Sequence, residues 1–225
     1  MVDLKDRLVA NGIRYIAIEG NIGAGKTSLA RLIAEECNAQ LFLEEVEDNP
    51  FLERYYENME AYAFQTQVFF LLNRYRQQLE ISQRDLFSDL IVADYIFAKD
   101  KIFAHVVLED DELALYNRIH SLLEGRIVTP DLVVYLQTST DVLLHRIKNR
   151  GRSFERLISK EYLKDLNEAF DHFFFHYEDS PLLIVNTDKL DFVSHRDQFK
   201  DLMGKLTEGF DGKRFYVPSW EIDEG

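Results

Sequence analysis

Cysteine is nearly absent: Cys37 is the single one in 225 residues. One thiol cannot close a disulfide within the chain, and the scarcity suits a reducing compartment, so a cytoplasmic location is expected. Cys37 follows a helical run and reads as a packed small apolar residue. Positive charge is also scarce, with 26 Lys and Arg against 40 Asp and Glu and a net charge of −14. A surface that acidic repels phosphate backbones, so no nucleic-acid partner is expected. No apolar stretch is long enough to span a bilayer, and no membrane partner is expected. The charged stretch from Met1 to Arg14 lacks the apolar run of a secretion signal. Internal repeats, low-complexity tracts and linkers are missing too. One domain over residues 1–225 is the expectation, with an apolar fraction of 46% to fill its core.

What is present begins with Gly20-Asn21-Ile22-Gly23-Ala24-Gly25-Lys26-Thr27, a phosphate-binding P-loop. The run Tyr15-Ile16-Ala17-Ile18 before it reads as a buried strand, and Ser28 to Ala34 after it has helical spacing. Glycines let backbone N–H groups converge on phosphate oxygens. The helix N-terminus adds partial positive charge. Lys26 is placed to reach β- and γ-phosphates, and Thr27 to ligate Mg²⁺. The pattern implies a nucleoside triphosphate such as ATP.

Further strands are expected at Gln40–Leu43, Leu90–Ala93, Leu132–Leu136 and Leu182–Val185. Helices fill the intervals, with long ones at about Glu60–Ser82 and Lys160–Tyr177. This alternation predicts an α/β fold: a five-stranded parallel sheet with helices on both faces. Right-handed crossovers place the loops after the strands along one sheet edge, where ligands bind. The acidic segment 210–225 reads as a loosely held tail, and Leu108 to Arg126 as an acidic helix surface without assignable chemistry.

Each strand end carries polar residues. Glu44, after the second strand, is a candidate base for a hydroxyl nucleophile, or else a solvated member of the acidic run 44–48. Asp94 ends an apolar strand and suits a Mg²⁺ site with Thr27, or else simply caps the strand. Arg146, Arg150 and Arg152 cluster around Gly151 against the global charge. Their forks match the oxygens of a transferring phosphoryl group, or else they complement a helix dipole.

Together these stretches resemble the deoxynucleoside kinases, a family that includes deoxycytidine, deoxyguanosine and bacterial deoxyadenosine kinases. The resemblance rests on Gly20–Thr27, Glu44-Glu45-Val46, Tyr56-Glu57, Gln67 to Arg74, Asp94 to Asp100, Arg150 to Glu155 and Asp188 to Phe192. It implies a P-loop kinase fold with an Arg-rich lid at about 146–156, ATP and Mg²⁺ as cofactors, and a deoxynucleoside as acceptor. Glu44 would take the 5′-hydroxyl proton. Tyr56 and Glu155 would hold the sugar 3′-hydroxyl. Gln67 would pair with the base, although a text match favours Gln65. Arg74 and Asp100 would form a charged pair beside the base. Asp191 and Phe192 would lie near the adenine of ATP. Tyr56 as plain core, Gln67 as a surface amide and Arg74–Asp100 as a structural salt bridge are the alternatives.

The chain departs from the family at Asp94-Tyr95-Ile96, where Tyr95 replaces the usual arginine. Lys99, one helical turn further on, restores a charge if that segment is helical. A nucleoside monophosphate kinase of the thymidylate type is the rival reading. It needs a basic residue after the second strand, where this chain has Glu44, Glu45, Glu47 and Asp48. A non-catalytic P-loop module is a third; a GTPase-type Asn-Lys-x-Asp motif is not found at Asn186-Thr187-Asp188-Lys189. The helix at 60–82 is apolar on more than one face, which by analogy predicts a homodimer.

Overall fold

The computed structural model describes residues 4–84 and 90–218. In chain order these form α1 (Leu4–Ala10), β1 (Tyr15–Gly20), α2 (Lys26–Cys37), β2 (Gln40–Phe42), α3 (Leu52–Glu57) and α4 (Met59–Arg84). Then come β3 (Ile91–Ala93), α5 (Lys99–Val107), α6 (Asp110–Leu123), β4 (Leu132–Gln137), α7 (Thr140–Arg150), α8 (Lys160–His176), β5 (Leu182–Asn186), α9 (Arg196–Thr207) and β6 (Lys213–Tyr216). The sheet order is β2-β3-β1-β4-β5-β6, and every pairing is parallel.

The five expected strands are all present, but the sheet has six. The sixth, β6, lies in the segment read as a loose tail and pairs Lys213–Tyr216 with Leu182–Val185. It escapes the sequence because it is an edge strand. Its Lys-Arg start looks like a surface loop, and lysine is a normal guard on an exposed edge. The rest of that predicted tail, 219–225, lies outside the described residues.

The central strands are apolar because both their faces are covered. Tyr15 to Gly20 is buried throughout, as are Leu132 to Leu136 and Leu182 to Val185. The helices lay apolar stripes on these faces: Leu29, Ala30, Ile33, Ala34 and Cys37 on α2, and Leu163, Leu166, Phe170 and Phe174 on α8. Ser159 caps α8 by accepting the Tyr162 N–H at 3.1 Å. In α4 the buried residues are Ala63, Thr66, Gln67, Leu71, Arg74, Gln77, Gln78 and Ile81. Of these, Thr66, Gln67 and Arg74 line a cavity, so this helix faces a site as well as a core. Among the described residues no helix is long and apolar enough to cross a membrane.

Candidate active site

The parallel sheet brings the P-loop, Glu44, Asp94 and the loop after β5 to one edge. Backbone geometry shapes the P-loop. Gly23 has φ +87°, and a Cβ there would lie 2.9 Å from Ile147 Cγ1 and 3.1 Å from the Leu143 carbonyl oxygen. Asn21 anchors the loop to α8. Its Nδ2 donates to the Leu163 carbonyl at 3.0 Å and to Asn167 Oδ1 at 2.7 Å. Lys26 Nζ donates to the carbonyls of Gly20 and Asn21 at 2.9 and 3.0 Å. Burial, and next the charge of Lys99, lower its pKa to about 8 against the pull of Glu19, Glu44 and Asp94.

Asp94 joins the two halves of the site. Its Oδ2 accepts the Thr27 hydroxyl at 2.5 Å, and its Oδ1 accepts the Glu44 N–H at 2.7 Å. A hydroxyl and a carboxylate oxygen in contact at a P-loop make a hard oxygen donor set that fits Mg²⁺. Glu44 itself is clamped between cations. Arg74 donates to its Oε1, and Lys99 Nζ to its Oε2 at 2.7 Å. Burial pushes the carboxyl up, yet Arg74 and Lys99 outweigh it and hold Glu44 well below the usual carboxylate range.

Two basins flank this junction. A cavity of about 190 Å³ is lined by Glu44, Tyr56, Gln67, Phe70, Arg74, Asp94, Lys99, Arg150, Arg152 and Glu155, among others. An open groove of about 960 Å³ is lined by Gly23 to Gly25, Arg146, Arg150 and Asp188 to Val193. Gly23 and Arg150 line both. The structure thus gathers the sequence candidates at one or the other basin except Gly20 and Asn21, which line neither, and Asp100, which is fully buried and paired with Arg74.

Gln67 is buried and lines the cavity, whereas Gln65 is exposed and donates to the Ala61 carbonyl at 3.3 Å. Two positions along a helix point to different sides, and the buried stripe selects Gln67. Arg74 does pair with the fully buried Asp100, but its fork also reaches Glu44, so it spans the cavity instead of serving one end. Tyr56 stacks on Phe154 with ring centroids 6.1 Å apart. Arg150 binds Glu155 through two nitrogens, Nε at 3.1 Å and Nη2 at 2.5 Å. Arg152 lies 3.4 Å from Glu47 and 3.7 Å from Glu155.

Arg146 donates to the carbonyls of Ala24, Thr187 and Leu190. It ties the P-loop to the loop after β5. Asp191 Oδ1 accepts the Val193 and Ser194 N–H groups at 3.2 and 3.0 Å, which shapes that same loop. Phe192 is buried behind the P-loop, its ring 3.2 Å from where a Cβ of Gly25 would lie.

Tyr95 is buried, and its hydroxyl has no hydrogen-bond partner among the described residues. The segment from Tyr95 to Ala98 is not helical; α5 begins at Lys99 itself. Lys99 therefore reaches Glu44 from a helix start and not along the same helix as Tyr95. Glu19 was not singled out from the sequence. It is the one charged residue in the buried strand β1, which is the signal that marks it. Its carboxylate accepts the N–H groups of Gly20 at 3.0 Å and Ile96 at 2.8 Å, and burial raises its pKa against the charges of Lys99 and Lys26.

Fold and site are those of a P-loop phosphotransferase. The sequence profile of the deoxynucleoside kinases matches residues 16–210. The chain is 35% identical to a deoxyguanosine kinase of Bacillus subtilis, over 88% of this chain and 98% of that protein. It is 35% identical to a deoxyadenosine kinase of Lactobacillus acidophilus, over 87% and 96%. A solved structure of deoxyadenosine kinase from M. mycoides with bound dATP superposes with a TM-score of 0.76 at 30% identity, covering 86% of this chain and all of that one. The chain belongs to the deoxynucleoside kinase family.

Proposed function

We propose that this protein transfers the γ-phosphoryl group of ATP to the 5′-hydroxyl of a 2′-deoxynucleoside in nucleotide salvage. The observation that carries the reading is Asp94, whose two oxygens tie Thr27 of the P-loop to Glu44 of the acceptor cavity. That link sets donor and acceptor chemistry side by side, which is most of what phosphoryl transfer requires. The names of the relatives support a purine deoxynucleoside, with deoxycytidine as a further acceptor.

In this reading the groove beside Asp191 and Phe192 takes the donor nucleoside, and the smaller cavity takes the acceptor. Thr27 and Asp94 would hold Mg²⁺, which when bound neutralises charge on the β- and γ-oxygens. Lys26 is charged at neutral pH and faces the same oxygens. Arg150 and Arg152 form the lid over 146–156 and supply charge where the two basins meet. Glu44 accepts a hydrogen bond from the 5′-hydroxyl and orients it. A carboxylate held so acidic is a weak base, which suits a loose transition state where the proton leaves late. Tyr56 and Glu155 take the 3′-hydroxyl, and Gln67 reads the base edge.

The acidic residues Glu45, Glu47 and Asp48 beside Glu44 suit a neutral acceptor and disfavour a monophosphate. Residues 1–225 act as one domain, and the protein works in the cytoplasm as a homodimer. Leu72 on α4 and Leu115 and Leu122 on the adjoining α6 are exposed, which supports pairing through these helices.

The test is steady-state phosphorylation of the four natural deoxynucleosides and their monophosphates with Mg-ATP, for the wild type and Glu44→Gln. Nucleoside turnover that falls about 10²–10⁴-fold in the variant is expected. Turnover with a monophosphate alone would move the protein to the thymidylate-kinase type. Nucleotide binding without acceptor-dependent turnover would make it a non-catalytic module.

A further inference from the structure

Lys99 lies deep in the acceptor cavity, on its Glu44 side. It is only 3% exposed, and its ammonium sits 2.7 Å from Glu44 Oε2 and 5.6 Å from the centroid of the Phe103 ring. Burying an ammonium is costly unless it is paired. Here the pairing with Glu44 offsets that cost and fixes the ammonium beside the carboxylate.

Its placement is also built. Glu19 accepts the Ile96 N–H, which fixes the turn after Asp94. The Ile96 carbonyl in turn accepts the Lys99 N–H at 3.2 Å as α5 begins. The end of β1, immediately before the P-loop, thus sets where the Lys99 side chain starts. Across the carboxylate, Arg74 holds Oε1 but is shared with Asp100. Lys99 holds the other oxygen, Oε2.

We propose that Lys99 is a positioning residue for phosphoryl transfer, holding the Glu44 carboxylate aimed at the acceptor hydroxyl. The proposal rests on the kinase reading above and deepens it. Arg74, pulled toward Asp100 and the base, cannot hold the carboxylate alone. Without Lys99, Oε2 swings free and the 5′-hydroxyl loses its fixed acceptor.

The experiment compares Lys99→Met, Lys99→Gln, Lys99→Arg, Glu44→Gln and the double variant Lys99→Met/Glu44→Gln. Each is checked for folding by circular dichroism and thermal melting. For Lys99→Met, kcat is expected to fall about 10²-fold, the scale of one lost electrostatic contact at a reacting centre, while KM for Mg-ATP moves less than about threefold. Lys99→Arg recovers a large part of the loss. The double variant is no slower than Glu44→Gln alone, because Lys99 acts through Glu44. Additive losses in the double variant, or a folded Lys99→Met with kcat within about threefold of wild type, overturn the proposal. If Lys99→Met does not fold, the same comparison is made with Lys99→Gln. Full activity in Glu44→Gln instead overturns the kinase reading of Glu44 and this proposal with it. Loss in Glu44→Gln with none in the Lys99 variants overturns the proposal alone.

Discussion

At the scale of single residues, the site is governed by what each side chain is denied. Glu44 is denied most of its water and given two cations, which hold its carboxyl well below the usual carboxylate range. Gly23 is denied a side chain. Its positive φ is one that L residues rarely adopt, and Ile147 and Leu143 already fill the space a Cβ would need. Forcing alanine there costs about 1–3 kcal/mol in backbone strain, which is about five- to 150-fold in affinity where the free loop relaxes out of the binding shape. Gly23→Ala should therefore weaken Mg-ATP binding by that factor in a calorimetric titration, and an unchanged Kd would show that the loop relaxes without cost. Tyr95 is the residue the sequence left hardest to interpret. It contributes a buried ring 6.0 Å from the Arg74 guanidinium, with burial keeping its phenol neutral.

At the scale of elements, α4 and α6 show how one helix serves several surfaces. The inward stripe of α4 carries Gln67 and Arg74 between Ala63, Leu71 and Ile81, and that spacing made the site side of the helix legible. Helix α6 was legible only as an acidic surface. Its inner face buries Tyr116 and His120, and the His120 ring lies 4.8 Å from Phe97 in the turn after Asp94. Burial, then Lys101 on α5, lowers the His120 pKa to about 4, against the pull of Glu124 with its oxygen 3.0 Å from Nδ1. Between about pH 6.5, where an unfolded histidine titrates, and about 4, the unfolded state binds the extra proton. Stability from this group is thus complete above about 6.5 and lost as pH falls toward 4. The urea midpoint of wild type should drop more between pH 7 and pH 5 than that of His120→Leu. Equal drops would remove His120 as a cause.

At the scale of the whole molecule, the exposed leucines of α4 and α6 are one part of the apolar surface left uncovered, with Phe175, Phe215 and Val217 exposed elsewhere. Leu72 is 49% exposed and Leu122 is 85% exposed, on helices that pack against each other. If a second copy covers them, a charge placed there is desolvated and unpaired on association. Leu72→Glu should shift the protein from dimer to monomer in light scattering coupled to gel filtration. A wild type that is already monomeric would reject the dimer outright.

Local chemistry alone was enough to define the strand–P-loop–helix unit, four further strands, the cluster of Arg146, Arg150 and Arg152 and the acidic residues after β2. Each depends on short-range pattern: apolar runs for strands buried on both faces, glycines where a phosphate must approach, charge where a strand ends. Only the tertiary structure decided the rest. It put Gln67, already preferred from the sequence, inside and Gln65 outside, because facing depends on which side of α4 meets the core. It turned a charged terminal stretch into β6, because an edge strand draws its stability from the neighbour it pairs with. It also brought Glu19 to the turn after Asp94 and set Lys99, which the sequence offered as a replacement charge, against Glu44. Their roles arise from contacts across β1, β2 and α5, where a parallel sheet sets side by side residues that are 55 and 77 positions apart in the chain.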